Sequence, residues 1–253
     1  VNVEIDNNEL SGWRGSAVNV RDPFNRLNLT NYDVVWVHDN FIHHNQHYGE
    51  QGYGVSVHES AYALIEKNMF DYNRHAIAAE GTSLTGYYAL RNLVFGNGGM
   101  NNGTWNLNTH MFDVHGSESC YGAGLYCGDA GEHFEFRWNT ILYDAGTAIK
   151  VRGEPLIGAV ADHNVFRHPD EWGGYLDDAA LVQNAPGHNF YSTNNTFGAH
   201  FDDMVKYSAC DFNGDWILDD FLATGETWWY APAPATRPLP VRRQLSPSPE
   251  RRR

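Results

Sequence analysis

Short segments in which apolar and polar residues alternate recur along most of the chain. The repeated segments are AVNVR from Ala17, GVSVH from Gly54, AIAAE from Ala76, MFDVH from Met111, AIKVR from Ala148, and Ala179–Gln183, which ends in ALVQ. Alternation with a period of two predicts β-strands that bury one face. Because the same short strand is repeated, the pattern predicts a solenoid in which like strands stack from one coil to the next.

A second repeat has the form apolar-x-apolar-x-x-Asn-x-apolar. Its asparagines are Asn8, Asn40, Asn68, Asn92, Asn139, Asn164 and Asn195. Successive spacings are 32, 28, 24, 47, 25 and 31 residues. All but the spacing of 47 fit a single coil; the 47 is either one coil that carries an excursion or two coils of which one is degenerate. Asparagines at the same turn of successive coils can stack and satisfy backbone groups that would otherwise be buried unpaired.

These repeats resemble the right-handed parallel β-helix proteins of the pectate-lyase-like superfold, whose coils carry asparagine ladders and Asn-x-Phe steps. The resemblance implies an all-β, right-handed parallel β-helix of about seven coils over residues 1–209. It says little about activity, because this scaffold hosts lyases, glycoside hydrolases, esterases, epimerases and adhesins. The aspartate set of polygalacturonases and the calcium and arginine motifs of pectate lyases are not found in the sequence.

The character of the chain changes at residues 210–230, which resemble the start of a calcium-binding FG-GAP (VCBS-like) repeat. A D-x-N-G-D-x-x-x-D pattern supplies four oxygen-bearing residues: Asp211, Asn213, Asp215 and Asp219. Alternating oxygen ligands suit a hard cation, so the resemblance implies a Ca²⁺ site here. Trp216 stands where such a loop usually has glycine. Residues 231–253 are rich in proline and arginine, and we expect them to form a disordered tail.

Polar residues at the outward positions of the repeated strand would form columns, with neighbours about 4.8 Å apart. One predicted column is Arg21, His58, Glu80, His115, Arg152 and Gln183, and a second beside it is Ser56, Ala78, Asp113 and Lys150. The small residues Ala17, Gly54, Ala76 and Ala148, with Met111 as the exception, are predicted to form a groove floor. Two histidines and two arginines in single file favour a functional groove, although charge pairing on a plain solvated sheet is the alternative.

The predicted catalytic residues are Glu80, Asp113, His115, Lys150 and Arg152. In a glycoside hydrolase, Glu80 and Asp113 would be the carboxylate pair, with backbones roughly 8 Å apart and thus nearer to inverting than to retaining geometry. In a polysaccharide lyase, Lys150 or Arg152 would neutralise a substrate carboxylate while His115 or Lys150 removes the α proton, which gives β-elimination.

A metal site is a third use of the same region. His75, His110 and His115, together with Asp113, come from adjacent coils and are residue types that bind transition metals. The H-x-x-D-x-H spacing, however, places side chains on both faces of a straight strand. The three histidines would therefore converge only if the strand bends.

Further residues at the rim of the groove are predicted to bind substrate. They are Tyr53, His58, Arg74, His75, Tyr121 and Tyr126. Tyr121 and Tyr126 belong to a glycine-rich loop over residues 116–132, which starts directly after His115. Long loops on a rigid stack often carry function, and tyrosine rings there are well placed to stack on a sugar.

The charge of the chain limits its partners. The sequence holds 31 acidic and 17 basic residues, for a net charge of −14. Such a field repels nucleic acids and anionic membranes, so we expect neither as a partner. The chain also has no apolar run of the roughly 18 residues that a membrane helix needs. A polyanionic sugar would be accepted only where arginine, lysine or a cation neutralises the site.

Three cysteines do not decide the cellular compartment. Cys120 and Cys127 lie in the glycine-rich loop, where a local disulfide and two free thiols are both open, and Cys210 is left over. Fold and groove together predict a secreted or cell-surface protein that acts on a polysaccharide, as a lyase or a glycoside hydrolase. A non-catalytic carbohydrate-binding or adhesion protein is the alternative, because a repeat solenoid suits that role equally well.

Overall fold

The computed structural model describes residues 3–22, 24, 34–46, 52–101, 104–105, 109–119, 126–174, 179–183 and 189–199. In these residues the secondary structure is β-strand, and most strands belong to three parallel sheets. No helix among them is long and apolar enough to span a bilayer.

Each parallel sheet collects strands that recur once per coil. Sheet 1 contains, in spatial order, β1 (Val3–Asp6), β4 (Val35–His38), β7 (Tyr62–Glu66), β10 (Gly86–Leu90), β17 (His133–Arg137), β20 (Gly158–Asp162) and β24 (Phe190–Thr193). Sheet 2 contains β2 (Glu9–Ser11), β5 (Phe41–His43), β8 (Met69–Asp71), β11 (Leu93–Val94), β18 (Thr140–Ile141) and β21 (Val165–Phe166). Sheet 3 contains β3 (Ser16–Arg21), β6 (Tyr53–His58), β9 (His75–Ala79), β14 (His110–Val114), β19 (Thr147–Val151), β23 (Leu181–Gln183) and β22 (Trp172–Gly173).

Two short antiparallel pairs interrupt this rhythm. They are β12 (Met100–Asn101) with β13 (Thr104–Trp105), and β15 (Glu118–Ser119) with β16 (Tyr126–Cys127). Both lie between the Asn92 and Asn139 turns. The regular coils supply one strand to each of Sheets 1, 2 and 3, so the protein is an all-β parallel β-helix of about seven coils, as the repeats predict.

The asparagine ladder runs through the turns between Sheet 1 and Sheet 2. In one step, Asn40 Nδ2 donates to Asn68 Oδ1 at 3.0 Å and to the His38 carbonyl at 2.7 Å. The same contact links Asn8, Asn40, Asn68, Asn92, Asn139, Asn164 and Asn195 in order. Asn92 bonds directly to Asn139 at 3.1 Å, so the longest spacing is one coil with an excursion.

The residue before each ladder asparagine has a left-handed backbone. These residues are Asn7, Asp39, Lys67, Arg91, Trp138, His163 and Asn194, all with φ between 50° and 56°. An L-residue in this conformation costs roughly 1–2 kcal/mol. The side-chain and backbone hydrogen bonds of the adjacent asparagine hold the turn in place and offset that cost.

The three sheets enclose one apolar core. Phe112 of Sheet 3 stacks on Phe136 of Sheet 1 with ring centroids 5.9 Å apart, and Tyr87 meets Phe136 edge-on at 5.6 Å. Full burial of such side chains stabilises the fold by about 1.5–3 kcal/mol each. The core is continuous along the coil axis.

The small residues predicted to floor a groove face this core instead, so that prediction is wrong. Ala76, Met111 and Ala148 belong to the core cluster, and Ala17 packs against it. A Cβ added to Gly54 would lie 2.9 Å from ring atoms of Phe70. Strands β3, β6, β9, β14 and β19 of Sheet 3 therefore turn two successive residues inward before their regular alternation begins. The first of these positions is crowded, which explains why it is mostly small.

Candidate active site

A bend in β14 brings the polar residues of the HMFDVHG segment to one side of the sheet. Met111 and Phe112 both belong to the core, and this inward pair places His110 on the same outer side as Asp113. His110 Nε2 lies 2.8 Å from Asp113 Oδ1, and His115 Nε2 lies 2.8 Å from Asp113 Oδ2. A straight strand would have separated the two histidines; the bend lets one carboxylate contact both.

Arg152, from the next coil, completes the contacts of this carboxylate. Its Nε donates to Asp113 Oδ1 at 3.0 Å and its Nη2 donates to Oδ2 at 2.7 Å. The same Nη2 contacts Nε2 of His115. Asp113 is completely buried, whereas the side chain of His115 is 27% exposed. Asp113 thus joins a buried arginine to a histidine that reaches the surface.

Asp113 stays ionised in spite of its burial. Burial alone would raise the pKa of this carboxyl group, but the charge of Arg152 and the contacts with His115 and His110 outweigh it and hold the pKa well below its ordinary value. The pKa of His110 is lowered too, but for a histidine this favours the neutral form. Burial lowers the pKa of His110 to about 4, against the pull of Asp113 and with help from the charges of Arg152 and Lys150. The centre is therefore an ionised carboxylate beside a neutral imidazole.

Lys150 lies beside Asp113 in the parallel register of β14 and β19. Only 2% of Lys150 is exposed, and it lies outside the apolar core cluster. Its positive charge acts on the centre, but its side chain is too deeply buried for a substrate to reach it directly.

A column of three rings runs along the outer side of Sheet 3 next to this centre. Tyr53 stacks on His75 at 5.3 Å and His75 stacks on His110 at 4.4 Å, measured between ring centroids. Arg74 Nη1 donates to the Tyr53 hydroxyl at 3.0 Å. Only 1% of His75 is exposed, and burial holds its pKa well below the ordinary value. Among the predicted substrate-binding residues, His75 is thus an interior residue, and Tyr53 is half-buried at the end of the column.

Glu80 and His58 form a separate hydrogen-bonded pair on the coils that precede Asp113. His58 Nδ1 lies 3.2 Å from Glu80 Oε2, and Oε1 of Glu80 accepts from the Thr82 hydroxyl at 2.6 Å and from the Glu59 amide. Burial would raise the pKa of Glu80, but these hydrogen bonds and His58 lower it overall. The register of β6, β9 and β14 places Glu80 in line with His58 and His115, as predicted.

Gln183 does not extend this column. It pairs with the core residue Val151 rather than with Arg152, one position away from the predicted alignment. The predicted calcium ligands Asp211, Asn213, Asp215 and Asp219 lie outside the described residues, as do Tyr121 and the side chain of Tyr126.

Glycines directly after the site residues form a feature that the sequence reasoning missed. Gly81, Gly116 and Gly153 follow Glu80, His115 and Arg152. A Cβ on Gly153 would lie 2.7 Å from the Gly128 carbonyl oxygen, and Cβ atoms on Gly81 and Gly116 would meet backbone atoms of Ser117 and Arg152. The backbones of successive coils approach too closely here to leave room for a side chain. This close approach fixes the distance between site residues on neighbouring coils. The repeated dipeptides Glu-Gly, His-Gly and Arg-Gly are the sequence signal from which this feature could have been predicted.

Cys127 takes part in a disulfide bond. Its partner, Cys120 or Cys210, lies outside the described residues. Directly after Cys127, the Gly128 carbonyl accepts from the Glu154 amide at 2.8 Å, and this bond holds the segment close to Arg152.

Comparison with known proteins finds no matching family model, no matching curated protein and no matching solved structure. The class that the chain itself defines is the parallel β-helix protein, with a buried histidine–aspartate–arginine centre on the outer side of one sheet.

Proposed function

We propose that this protein cleaves an acidic polysaccharide by β-elimination, with His115 as the base and Arg152 as the residue that attracts the substrate carboxylate. The observation that carries the proposal is the buried, ionised Asp113, which contacts His115 and Arg152 at the same time. A general base needs an orienting partner and access to substrate, and His115 has both.

We assign to His115 the tautomer with the proton on Nε2, which can donate to Asp113 but cannot accept from Arg152 Nη2, the other group that contacts this nitrogen. A carboxylate only accepts hydrogen bonds, so Nε2 carries the proton when it donates to Asp113, and Nδ1 keeps the lone pair. That lone pair would take the proton from the carbon next to the uronate carboxyl group. The negative charge of Asp113 then stabilises the imidazolium that forms. The C–H electron pair forms the carbon–carbon double bond as the C–O bond to the leaving sugar breaks, and the leaving oxygen takes the proton from the imidazolium of His115.

Local charge favours an acidic substrate, although the whole chain is negative. Two cationic side chains lie next to the carboxylate of Asp113: Lys150 is beside it in register and Arg152 is bonded to it, while Arg74 lies near His75. The centre therefore has a positive excess within a protein of net charge −14. This is the local neutralisation that an anionic sugar requires, and it would also lower the cost of the enolate-like charge that develops during elimination.

The carboxyl groups favour elimination over glycoside hydrolysis. A glycosidase needs one carboxylic acid that stays protonated near neutral pH, and its pKa must therefore be raised. The pKa of Asp113 is held well below its ordinary value, and that of Glu80 is also lowered. Neither of them supplies the acid, whereas elimination with a histidine base does not need this pair.

We further propose that the protein acts outside the cytoplasm. The disulfide at Cys127 supports this location, because such bonds persist in oxidising compartments. The pectate-lyase-like ancestry and the Ca²⁺ site in an FG-GAP-like repeat at Asp211–Asp219 belong to the same proposal, and they rest on the sequence motifs alone.

The test is a panel of polyuronates (polygalacturonate, alginate and hyaluronan) and neutral glucans, incubated with the purified protein. Ultraviolet absorbance reports the unsaturated ends that elimination creates, and a reducing-end assay reports any cleavage. We expect both signals on at least one polyuronate and neither on a neutral glucan. Reducing ends without absorbance would indicate a hydrolase, and retention on a polyuronate without cleavage would indicate a binding protein; either result rejects the lyase.

A further inference from the structure

We propose that His75, His110 and Asp113 form a binding site for a divalent transition metal such as Zn²⁺. The three residues come from two adjacent coils, β9 and β14, and all are buried. This inference does not rest on the proposed lyase activity, because it concerns Oδ1 of Asp113, whereas His115 contacts Oδ2.

The spacing of the donor atoms suits one ion. One ligand atom from each of the three residues lies within 4.8 Å of the others. His110 Nε2 and Asp113 Oδ1 are 2.8 Å apart, and the His75 ring stacks on the His110 ring at 4.4 Å. An ion with ligand distances of about 2.0–2.2 Å fits between these atoms after small side-chain rotations.

A second observation, independent of the clustering, points to a ligand. His75 Nδ1 donates to the carbonyl oxygen of His110, and this bond fixes Nε2 as the nitrogen with the lone pair. His75 Nε2 is buried and has no hydrogen-bond partner within the described part of the chain. A buried nitrogen without a partner is costly in a folded protein unless something binds it.

Asp113 has an oxygen lone pair on the side of the two histidines. A carboxylate has about four lone-pair positions. Arg152 and His115 occupy three of them, and the fourth, on Oδ1, lies toward His110 Nε2 at 2.8 Å, where the ion would replace the direct contact between the two residues.

Two histidines and one carboxylate are a ligand set that leaves a coordination position open. Sites with three protein ligands bind a water molecule or a substrate atom in the fourth position, whereas structural zinc sites are closed by four side chains. The ligand class is therefore a borderline-soft divalent ion with imidazole affinity, such as Zn²⁺ or Co²⁺, rather than Ca²⁺ or Mg²⁺, which prefer oxygen.

Titration of the chelator-treated, full-length protein with Co²⁺ alone tests this site. We expect one equivalent to bind with the intense visible absorption of a tetrahedral, histidine-ligated ion. An oxygen-only site, including one at Asp211–Asp219, would give the much weaker absorption of an octahedral ion. His75→Ala should weaken Co²⁺ binding at least as much as the loss of an outer-shell partner does, about 10–100-fold. His163→Ala, at an exposed histidine in the turn after β20, should leave it unchanged.

Circular dichroism of each variant shows whether weaker Co²⁺ binding reflects a lost ligand or a lost fold. Asp113→Asn is a second ligand variant, which keeps the size of the native side chain and should also weaken Co²⁺ binding. Absence of the intense Co²⁺ spectrum in the wild-type protein would overturn the proposal. Equal Co²⁺ affinity in wild type and a folded His75→Ala variant would overturn it too. Because the readout is binding and not turnover, a negative result on the polyuronate panel leaves this outcome unaffected, and the reverse also holds.

Discussion

Arg152 and Asp113 form a buried two-point ion pair, with Nε on Oδ1 at 3.0 Å and Nη2 on Oδ2 at 2.7 Å. The pair joins two coils, since Asp113 lies in β14 and Arg152 directly follows β19. Such a pair adds little net stability over apolar residues, but the loss of one partner leaves the other charge buried and uncompensated.

Arg152→Gln should therefore lower the free energy of unfolding by about 3–5 kcal/mol. The reason is that Asp113 would keep its desolvation penalty and lose its main counter-charge. Urea unfolding followed by circular dichroism measures the change. The matched control is Arg21→Gln, because Arg21 pairs with Glu59 at 3.5 Å on the surface, where both side chains are about half exposed. That change should cost less than about 1 kcal/mol. Equal losses in both variants would argue against a buried, mutually dependent pair.

The asparagine ladder predicts a second, position-dependent loss of stability. Asn92 Oδ1 accepts from the Asn68 backbone amide at 2.9 Å, and Asn92 Nδ2 donates to the Ile65 carbonyl at 2.9 Å. Asn92→Ala leaves these buried groups unpaired, at about 1–3 kcal/mol each. We expect a total loss of about 3–5 kcal/mol in thermal or urea unfolding.

Asn8→Ala is the control for this loss, because Asn8 stands at the exposed end of the ladder and its side chain bonds to Asp6 in its own turn. Water can replace these bonds, so the cost should stay below about 1 kcal/mol. If both substitutions cost the same, the ladder would not act as a buried network.

Asp71 predicts a stability change with pH. Burial raises the pKa of Asp71 to about 6, against the opposing hydrogen bonds from Asn97 and the Tyr72 amide. Because the folded-state pKa is above the unfolded value of 3.8, the favourable contribution is complete below pH 4 and is lost as the pH rises through about 6. Asp71→Asn removes this dependence and keeps the size of the side chain.

Relative to wild type, Asp71→Asn should therefore gain stability between pH 4 and pH 8, by about 2–3 kcal/mol for a shift of about two pH units. Urea unfolding of both proteins at several pH values measures the difference. A difference that stays constant over this range would show that Asp71 is not held in its protonated form by burial.

Much of the fold could be predicted because it depends on local, repeated chemistry. The period-two alternation and the recurrent asparagine identify the strands and the turn of each coil, and Asn92 bonds to Asn139 across the one irregular spacing. The left-handed residue before each asparagine was not predicted, because its identity changes from Lys67 to Trp138 and carries no common signal. The ladder, and not that residue, enforces the turn.

The site was harder to predict because its geometry depends on one bend. Strict alternation placed His110 and Asp113 on opposite faces, whereas the two inward residues Met111 and Phe112 put them on the same side. Sequence reasoning correctly aligned His58, Glu80 and His115, since parallel register follows from the repeat. It could not find that Asp113 is buried or that Arg152 bonds to it, because these contacts depend on side-chain directions across two coils.

The most direct test of the account is a comparison of His115→Gln with His133→Gln on the polyuronate that the wild-type protein cleaves. Both histidines are partly exposed and contact a carboxylate, at 27% exposure for His115 and 20% for His133, but His133 lies on Sheet 1 beside Glu135. We predict that His115→Gln lowers the rate of unsaturated product formation by at least about 10²-fold, the usual contribution of a general base, whereas His133→Gln keeps the wild-type rate. A folded His115→Gln protein with the wild-type rate would contradict the assignment of His115 as the base.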